Sequence, residues 1–232
     1  MQVNLELGRG YSGTALGDEL IGIENLMGSN HDDVMVGDAR ANVIEGGRGA
    51  DQLVGGGGND HLFGGLAPRP TGDFVAIPDD AVDRPRLSDG DDILIGGRGN
   101  DTLTGGTGAD RMTGGSDADT FVFNFTYETD AYERLNMDYI LDFSQAQHDK
   151  IDVHGIDANE GLDGNQDFTT FIGTAEFSAT PTVPGSATPG QIRYFTIGGD
   201  TYIILNTDTD PDNDAAIRVA GERPPDASWF NM

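Results

Sequence analysis

The sequence predicts an all-β fold, a right-handed parallel β-roll (β-helix) of nonapeptide repeats with a C-terminal β cap. Three observations carry the prediction. A nine-residue unit recurs between Gly28 and Val122, with glycine-rich turns and an acidic residue at its sixth place. The eighth place of every copy is apolar. From Phe123 onward the period gives way to short apolar runs between Gly/Asp/Pro loops. A fixed period of this length is the sequence mark of a solenoid.

The clean copies are Gly46-Gly-Arg-Gly-Ala-Asp51-Gln-Leu53-Val, Gly55-Gly-Gly-Gly-Asn-Asp60-His-Leu62-Phe, Gly96-Gly-Arg-Gly-Asn-Asp101-Thr-Leu103-Thr and Gly105-Gly-Thr-Gly-Ala-Asp110-Arg-Met112-Thr. Looser copies begin at Gly28, Gly37, Leu87 and Gly114. The eighth places read Met35, Ile44, Leu53, Leu62, Leu94, Leu103, Met112 and Phe121, while the seventh and ninth are mixed. Three residues with the middle one turned inward make a short strand, because side chains alternate along it. The other six make the turn, where glycine permits positive φ and crowded backbone. Two nonapeptides complete one coil and build two stacked sheets. Four coils at about 4.8 Å each give a stack roughly 15–20 Å tall.

Residues 1–27 form the predicted lead-in. Val3-Asn-Leu5-Glu-Leu7 alternates like a strand, and Glu19 to Met27 is a decayed repeat with Glu24 at the sixth place and Leu26 at the eighth, read as an end cap. Gly8-Arg-Gly10-Tyr-Ser-Gly13 matches the dinucleotide fingerprint, but no helix pattern follows, so it reads as a turn. The roll proper spans 28–122.

An insertion at 66–88 interrupts it. Gly64-Gly65 begins a turn, Leu66 to Ser88 intervene, and Asp89-Gly-Asp-Asp92 resumes it; counting straight back from Asp92 places Leu87 first. Asp51 to Asp92 and Asp60 to Asp101 are both 41 residues, one 18-residue coil and 23 more, so the phase survives. The insert carries four prolines and Arg69, Arg84 and Arg86. It reads first as a solvated loop, and second as a place for something specific to bind. Residues 123–232 are the cap, with strands expected at Asp138–Phe143, Lys150–Val153, Phe168–Ile172, Gln191–Phe195, Asp200–Leu205 and Ala216–Val219, continuous with the solenoid.

Composition narrows the chemistry. Asp+Glu is 40 against Lys+Arg 13, a formal net charge of −27, which argues against nucleic acid or an anionic membrane as partner. There is no cysteine for a disulfide or thiolate site, no apolar run long enough for a membrane span, and no basic-then-apolar leader at the N-terminus.

The acidic residues are periodic, and their stacking points to a cation. Turns on one side of the solenoid lie 18 residues apart, so their sixth places face one another across a single coil. One column holds Asp33, Asp51, Asp92 and Asp110; the other holds Glu24, Asn42, Asp60, Asp101 and Asp119. Like charges about 5 Å apart repel strongly unless a cation lies between them. Carboxylates plus glycine-freed carbonyls form an all-oxygen set of flexible geometry, which suits calcium better than magnesium.

These repeats resemble the RTX (repeats-in-toxin) family of bacterial secreted proteins. Residues 120–232 resemble the C-terminal region of serralysin-type metalloproteases, through Asp138-Tyr-Ile-Leu-Asp-Phe, Asp149-Lys-Ile-Asp152, Phe171-Ile-Gly-Thr-Ala-Glu-Phe177 and Gly190-Gln-Ile-Arg-Tyr194. The resemblance implies about six calcium ions. Each would be held by the second- and fourth-place carbonyls and sixth-place side chain of one turn, with first- and third-place carbonyls and the sixth-place side chain of the next. Carried over, Ser29, His31 and Asp33 face Gly46, Arg48 and Asp51; Gly47, Gly49 and Asp51 face the Asp92 turn; Gly90 and Asp92 face Gly105, Thr107 and Asp110. In the other column Asn42 faces Gly55, Gly57 and Asp60; Gly56, Gly58 and Asp60 face Gly96, Arg98 and Asp101; Gly97, Gly99 and Asp101 face Gly114, Ser116 and Asp119. The resemblance also implies secretion by a type I ABC exporter that reads the uncleaved tail Asp226-Ala-Ser-Trp-Phe-Asn-Met232.

No His-Glu-x-x-His zinc motif and no Gly-x-Ser-x-Gly elbow occurs, so no catalytic residue is assigned. The expected function is a non-catalytic module that folds on calcium after export, the C-terminal part of a larger secreted enzyme whose catalytic domain would precede it. The alternative is a module that binds a polysaccharide or other partner through the insertion. Asp208-Thr-Asp-Pro-Asp212-Asn-Asp214 lacks the Gly and Glu of an EF-hand and reads as a cation-binding loop at most.

Overall fold

Successive nonapeptides feed opposite sheets, as the nine-residue period requires. The computed structural model describes residues 1–65, 90–124, 137–156, 167–168, 170–174, 189–207, 215–221 and 224–231. One sheet stacks β1 (Gln2–Asn4), β4 (Val34–Val36), β6 (Gln52–Gly57), β8 (Ile93–Arg98), β10 (Arg111–Ser116), β12 (Tyr139–Ile140) and β17 (Ala215–Ala220), all parallel. The facing sheet stacks β3 (Asn25–Ser29), β5 (Val43–Gly47), β7 (His61–Phe63), β9 (Thr102–Thr104), β11 (Thr120–Val122), β13 (Lys150–Asp152) and β18 (Phe230–Asn231), also parallel. The chain is thus a parallel β-roll.

The first sheet is extended at both ends. Strand β2 (Arg9–Ser12) runs antiparallel to β1. Beyond β17 come β16 (Asp200–Asn206), antiparallel to β17, then β15 (Gln191–Ile197), antiparallel to β16, and then β14 (Thr170–Gly173), parallel to β15.

The core is the pair of eighth-place columns. Met35, Leu53, Leu94 and Met112 lie in register on one sheet, and Ile44, Leu62, Leu103 and Phe121 on the other. All eight are fully buried. Burying one such side chain is worth about 1.5–3 kcal/mol, and each column runs unbroken through the roll.

The stack is taller than the four coils read from the repeats. Val3 pairs with Met35, and Ile140 and Val219 continue beyond Met112. Leu26 precedes Ile44, and Ile151 and Phe230 follow Phe121. Leu26 keeps the nine-residue spacing to Met35, as its decayed repeat predicts, while the other flanking strands supply eighth-place residues without it, because sheet pairing fixes the register of one inward residue and leaves the connection free. The tail belongs to this core: Trp229 is 2% exposed and stacks on Phe143 at 4.3 Å.

Two expectations are corrected at the N-terminal end. Gly8 to Gly13 is not simply a turn, since Arg9–Ser12 forms β2, pairing Gly10 with Val3. A methyl at Gly10 would come within 1.9 Å of the Ala15 carbonyl oxygen, so glycine there serves close packing. Glu24 does not join the acidic column. Its carboxylate lies outside and meets Arg40 at 3.2 Å.

At the other end, Arg218 ties the cap to the roll. Its Nε donates to Asp200 Oδ2 at 2.8 Å, its guanidinium lies 4.1 Å from the Tyr139 ring centre, and the Tyr139 hydroxyl donates to Asp200 Oδ1 at 3.2 Å. Among the described residues no helix is long and apolar enough to cross a membrane. The insertion and the acidic run Asp208–Asp214 lie outside the described residues.

Candidate metal centre

Every sixth-place side chain in the repeats is buried, at 0–1% exposure, although seven of the eight are aspartates. In six of the aspartates one carboxylate oxygen does structural work. The Asp33 N–H donates to Asp51 Oδ1 at 2.8 Å, Asp51 to Asp92 at 2.6 Å, and Asp92 to Asp110 at 2.8 Å. In the other column Asn42 donates to Asp60 Oδ1 at 2.8 Å, Asp60 to Asp101 at 2.7 Å, and Asp101 to Asp119 at 2.9 Å. Each Oδ1 thus accepts from the backbone one coil earlier, in the same register as the sheets.

The second oxygen is handled differently. Asp60, Asp101 and Asp119 each hold Oδ2 buried with no hydrogen-bond partner. A buried carboxylate oxygen without a donor is costly unless a proton or a cation meets it. The carboxyl groups respond accordingly. Burial pushes Asp60 up to about 6 against the opposing Asn42 N–H, with the Asp101 and Asp38 charges adding to the rise. Burial raises Asp101 as well, aided by Asp117. Burial pushes Asp119 up to about 7, and the charges of Asp149, Asp101 and Asp142 add to it. This column is therefore short of positive charge.

Glycine makes the cradle. A methyl on Gly55 would lie 2.2 Å from Asp60 Oδ2, one on Gly96 2.3 Å from Asp101 Oδ2, and one on Gly114 2.3 Å from Asp119 Oδ2. The first place must therefore lack a side chain for the carboxylate to fold back over the turn. Second-place Gly47, Gly56 and Gly97 adopt φ of 110°, 110° and 122°, and fourth-place Gly49, Gly58 and Gly99 of 109°, 99° and 115°. Asp117, at the fourth place of the last repeat, takes φ 84°, a region that aspartate enters more readily than most side chains.

The first turn of each column departs from this pattern. Where the second place is Ser29 or Asp38 instead of glycine, its N–H donates to the sixth-place side chain of its own turn: Ser29 to Asp33 Oδ2 at 2.6 Å, Asp38 to Asn42 Oδ1 at 2.8 Å. One side-chain oxygen of Asp33 and one of Asn42 are thus already engaged by a donor from their own turn. The imidazole-bearing fourth place, His31, is exposed, as is third-place Arg98, and Arg48 is half-buried, so these residues offer backbone rather than side chain to the turn.

Two features escaped the sequence reading. The sixth-place ladders run on past the repeats, with the Asp110 N–H donating to Asp138 Oδ1 at 2.9 Å and the Asp119 N–H to Asp149 Oδ1 at 3.1 Å. Asp142 beside them accepts from the Gly114 and Gly115 N–H groups, both at 2.9 Å. An aspartate followed two residues later by a buried apolar residue, as in Asp138-Tyr-Ile140 and Asp149-Lys-Ile151, was the available signal. A second ladder runs along the exposed fifth places in the opposite sense. There Asp32 Oδ1 accepts from Ala50, Asn59 from Asn100, Asp91 from Ala109 and Asn100 from Ala118, at 2.9–3.0 Å.

The donor set, carboxylate oxygens with surrounding backbone carbonyls and no sulfur or imidazole, fits a hard divalent cation of flexible coordination. Residues 27–62 and 88–121 match the profile of the RTX calcium-binding nonapeptide repeat, in four copies. The two stretches are RTX repeats, and repeats of this type bind calcium. No curated protein matches the chain. Among solved structures, the chain is similar to the solution structure of the AlgE6R3 subunit of the Azotobacter vinelandii mannuronan C5-epimerase, at 22% identity over 88% of this chain and 80% of that one, with a TM-score of 0.44. It is also similar to the AlgE6R2 subunit of the same enzyme, at 21% identity over 90% and 93% of the two chains, with a TM-score of 0.39.

Proposed function

We propose that this chain is a non-catalytic module that folds when calcium binds its stacked turns, after export to the extracellular medium. The observation that carries the reading is the column of buried, donor-poor Oδ2 atoms at Asp60, Asp101 and Asp119. Such a column is unfavourable in the folded chain alone and favourable once divalent cations occupy it. Asp101 faces a neighbour on either side, so the strongest sites are expected at Asp60–Asp101 and Asp101–Asp119. The Asp33 and Asn42 turns, where one side-chain oxygen already takes a donor from its own turn, are expected to bind more weakly. About six sites in all remain the upper count.

Sites of this extracellular kind have Kd values of about 10⁻⁴ to 10⁻³ M, well above cytosolic calcium. Inside the cell the carboxylates would repel and the chain would stay unfolded and threadable through a type I exporter. Outside, at free calcium of ~100 times Kd, each independent site would contribute about 2.7 kcal/mol. A few such sites are comparable with the whole stability of a domain, about 5–15 kcal/mol. Calcium would supply the positive charge; the chain supplies the oxygen ligands, register through the Oδ1 ladder, and concavity through first-place glycine.

The reading includes a larger parent enzyme to which this module would belong. Equilibrium dialysis with calcium, paired with the hydrodynamic radius, tests it. Several ions bound with a sharp compaction are expected. A chain that binds none, or binds several without compacting, would sink the proposal.

A further inference from the structure

The 66–88 insertion opens from inside a turn, and the structure identifies which residues complete that turn. Counting straight back from Asp92 would put Leu87 at its first place. Gly64 is found there instead. A methyl on Gly64 would come within 2.2 Å of both Asp92 Oδ2 and the Gly105 carbonyl oxygen. Uninterrupted turns have the same two neighbours at this place: a methyl on Gly46 would lie 2.2 Å from Asp51 Oδ2 and 2.4 Å from the Gly64 carbonyl oxygen, and one on Gly96 2.3 Å from Asp101 Oδ2 and 2.6 Å from the Gly114 carbonyl oxygen.

The backbone agrees. The Gly64 carbonyl accepts from the Gly47 N–H at 2.9 Å, the Gly64 N–H donates to Thr104 at 2.9 Å, and the Gly65 N–H donates to the Gly105 carbonyl at 3.1 Å. From the other side of the insertion, Gly90 occupies the fourth place. Its φ is +138°, and it packs over the Gly49 carbonyl as Gly108, also at +138°, packs over the Gly90 carbonyl.

We infer that the Asp92 turn is a split cation site, with Gly64 and Gly65 on one side of the insertion and Gly90 and Asp92 on the other, so that calcium bound there closes the stem of the insert. This rests on the calcium-folding reading above and adds to it. By the repeat pattern, the Gly64 carbonyl completes the set that includes Gly47, Gly49, Asp51 and Asp92. The Gly65 carbonyl likewise completes the set that includes Gly90, Asp92, Gly105, Thr107 and Asp110. Ligands contributed from both ends of a long loop bind only when the loop closes, and closure carries an entropic cost that grows slowly with length. The split turn therefore forms at higher calcium than its uninterrupted neighbours, and the insert's two ends are drawn together last.

Deleting Leu66–Ser88 supplies the test. It joins Gly64-Gly65 to Asp89-Gly90-Asp91-Asp92 and creates an uninterrupted Gly-Gly-x-Gly-x-Asp turn. The deletion variant should bind as many calcium ions as the parent and reach its folding midpoint, by circular dichroism, at several-fold lower calcium. Gly64→Ala should bind fewer ions and fold at higher calcium, while Leu87→Ala should change neither. A deletion variant that loses ions, or a Leu87→Ala variant that does, would overturn the split turn. Should Gly64→Ala fail to fold, the deletion variant decides alone. A parent chain that binds no calcium would instead overturn the underlying calcium reading.

Discussion

Asp60 and Asp101 are joined by an asymmetric link. The Asp60 backbone N–H donates to Asp101 Oδ1 at 2.7 Å, while the Oδ2 atoms of both residues stay buried without a hydrogen-bond partner. One oxygen sets the register between coils, and the other is kept from protein donors. A purely structural aspartate ladder would have no need to bury that second oxygen, whose desolvation is unfavourable.

Asp101→Asn tests the division of labour. The substitution keeps the size and the Oδ1 acceptor but removes the charge. Asp101 stands between Asp60 and Asp119, so two adjoining sites should weaken together, each worth about 2.7 kcal/mol at a hundredfold excess over Kd. Titration calorimetry should count up to two fewer ions and a higher folding midpoint. An unchanged count and midpoint would contradict the shared-ligand arrangement.

Gly96→Ala tests the cradle. The added methyl meets Asp101 Oδ2 at 2.3 Å and the Gly114 carbonyl at 2.6 Å, and Gly96 does not have a positive φ, so the penalty is steric. Overpacking of this kind costs about 1–3 kcal/mol. A lower melting temperature in calcium, together with weaker calcium binding, is expected. Wild-type behaviour would mean that the carboxylate need not fold over the turn.

Acid should partly replace calcium. In the ion-free roll Asp60 is raised to about 6 and Asp119 to about 7, whereas an unfolded aspartate titrates near about 3.9. The folded state therefore holds more protons than the unfolded state between these values, and its stability falls as pH rises through 6 and 7. The full contribution is present only below the unfolded value. Asp200 acts in the opposite sense: burial would raise it, but the Arg218 partner holds it below the usual carboxylate range, so its contribution is lost only in stronger acid. In chelator, lowering the pH from 8 to 5 should increase strand content by circular dichroism. A loss of structure over that interval would contradict the titration assigned to the column.

The roll was legible because its period encodes geometry directly. Met35 to Phe121 at the eighth place and Asp33 to Asp119 at the sixth fix which residues enter the core and which line the turns. The flanks were less legible. Val3, Ile140, Val219 and Phe230 continue the same inward columns, but their connections have no fixed length, so no period announces them. Asp138 and Asp149 joined the ladders for the same reason. Glu24 illustrates the converse: it holds the sixth-place position, yet its longer side chain turns out to Arg40. The turn at Asp92 needed the folded chain, because either Gly64 or Leu87 could have stood at its first place until the contact between Gly64 and Asp92 was seen.

The most direct test of calcium-driven folding is a calcium titration of the intact chain from chelator, followed at once by far-UV circular dichroism and by the emission of Trp229. Trp229 is the sole tryptophan and is buried against Phe143 at the far end of the second sheet, so its emission reports whether the stack has formed to its end. The predicted result is an unfolded spectrum and red emission in chelator at neutral pH, with both signals moving together to strand-rich and blue as calcium rises into the millimolar range. A chain equally structured in chelator and in calcium, with Trp229 already shielded, would contradict the account.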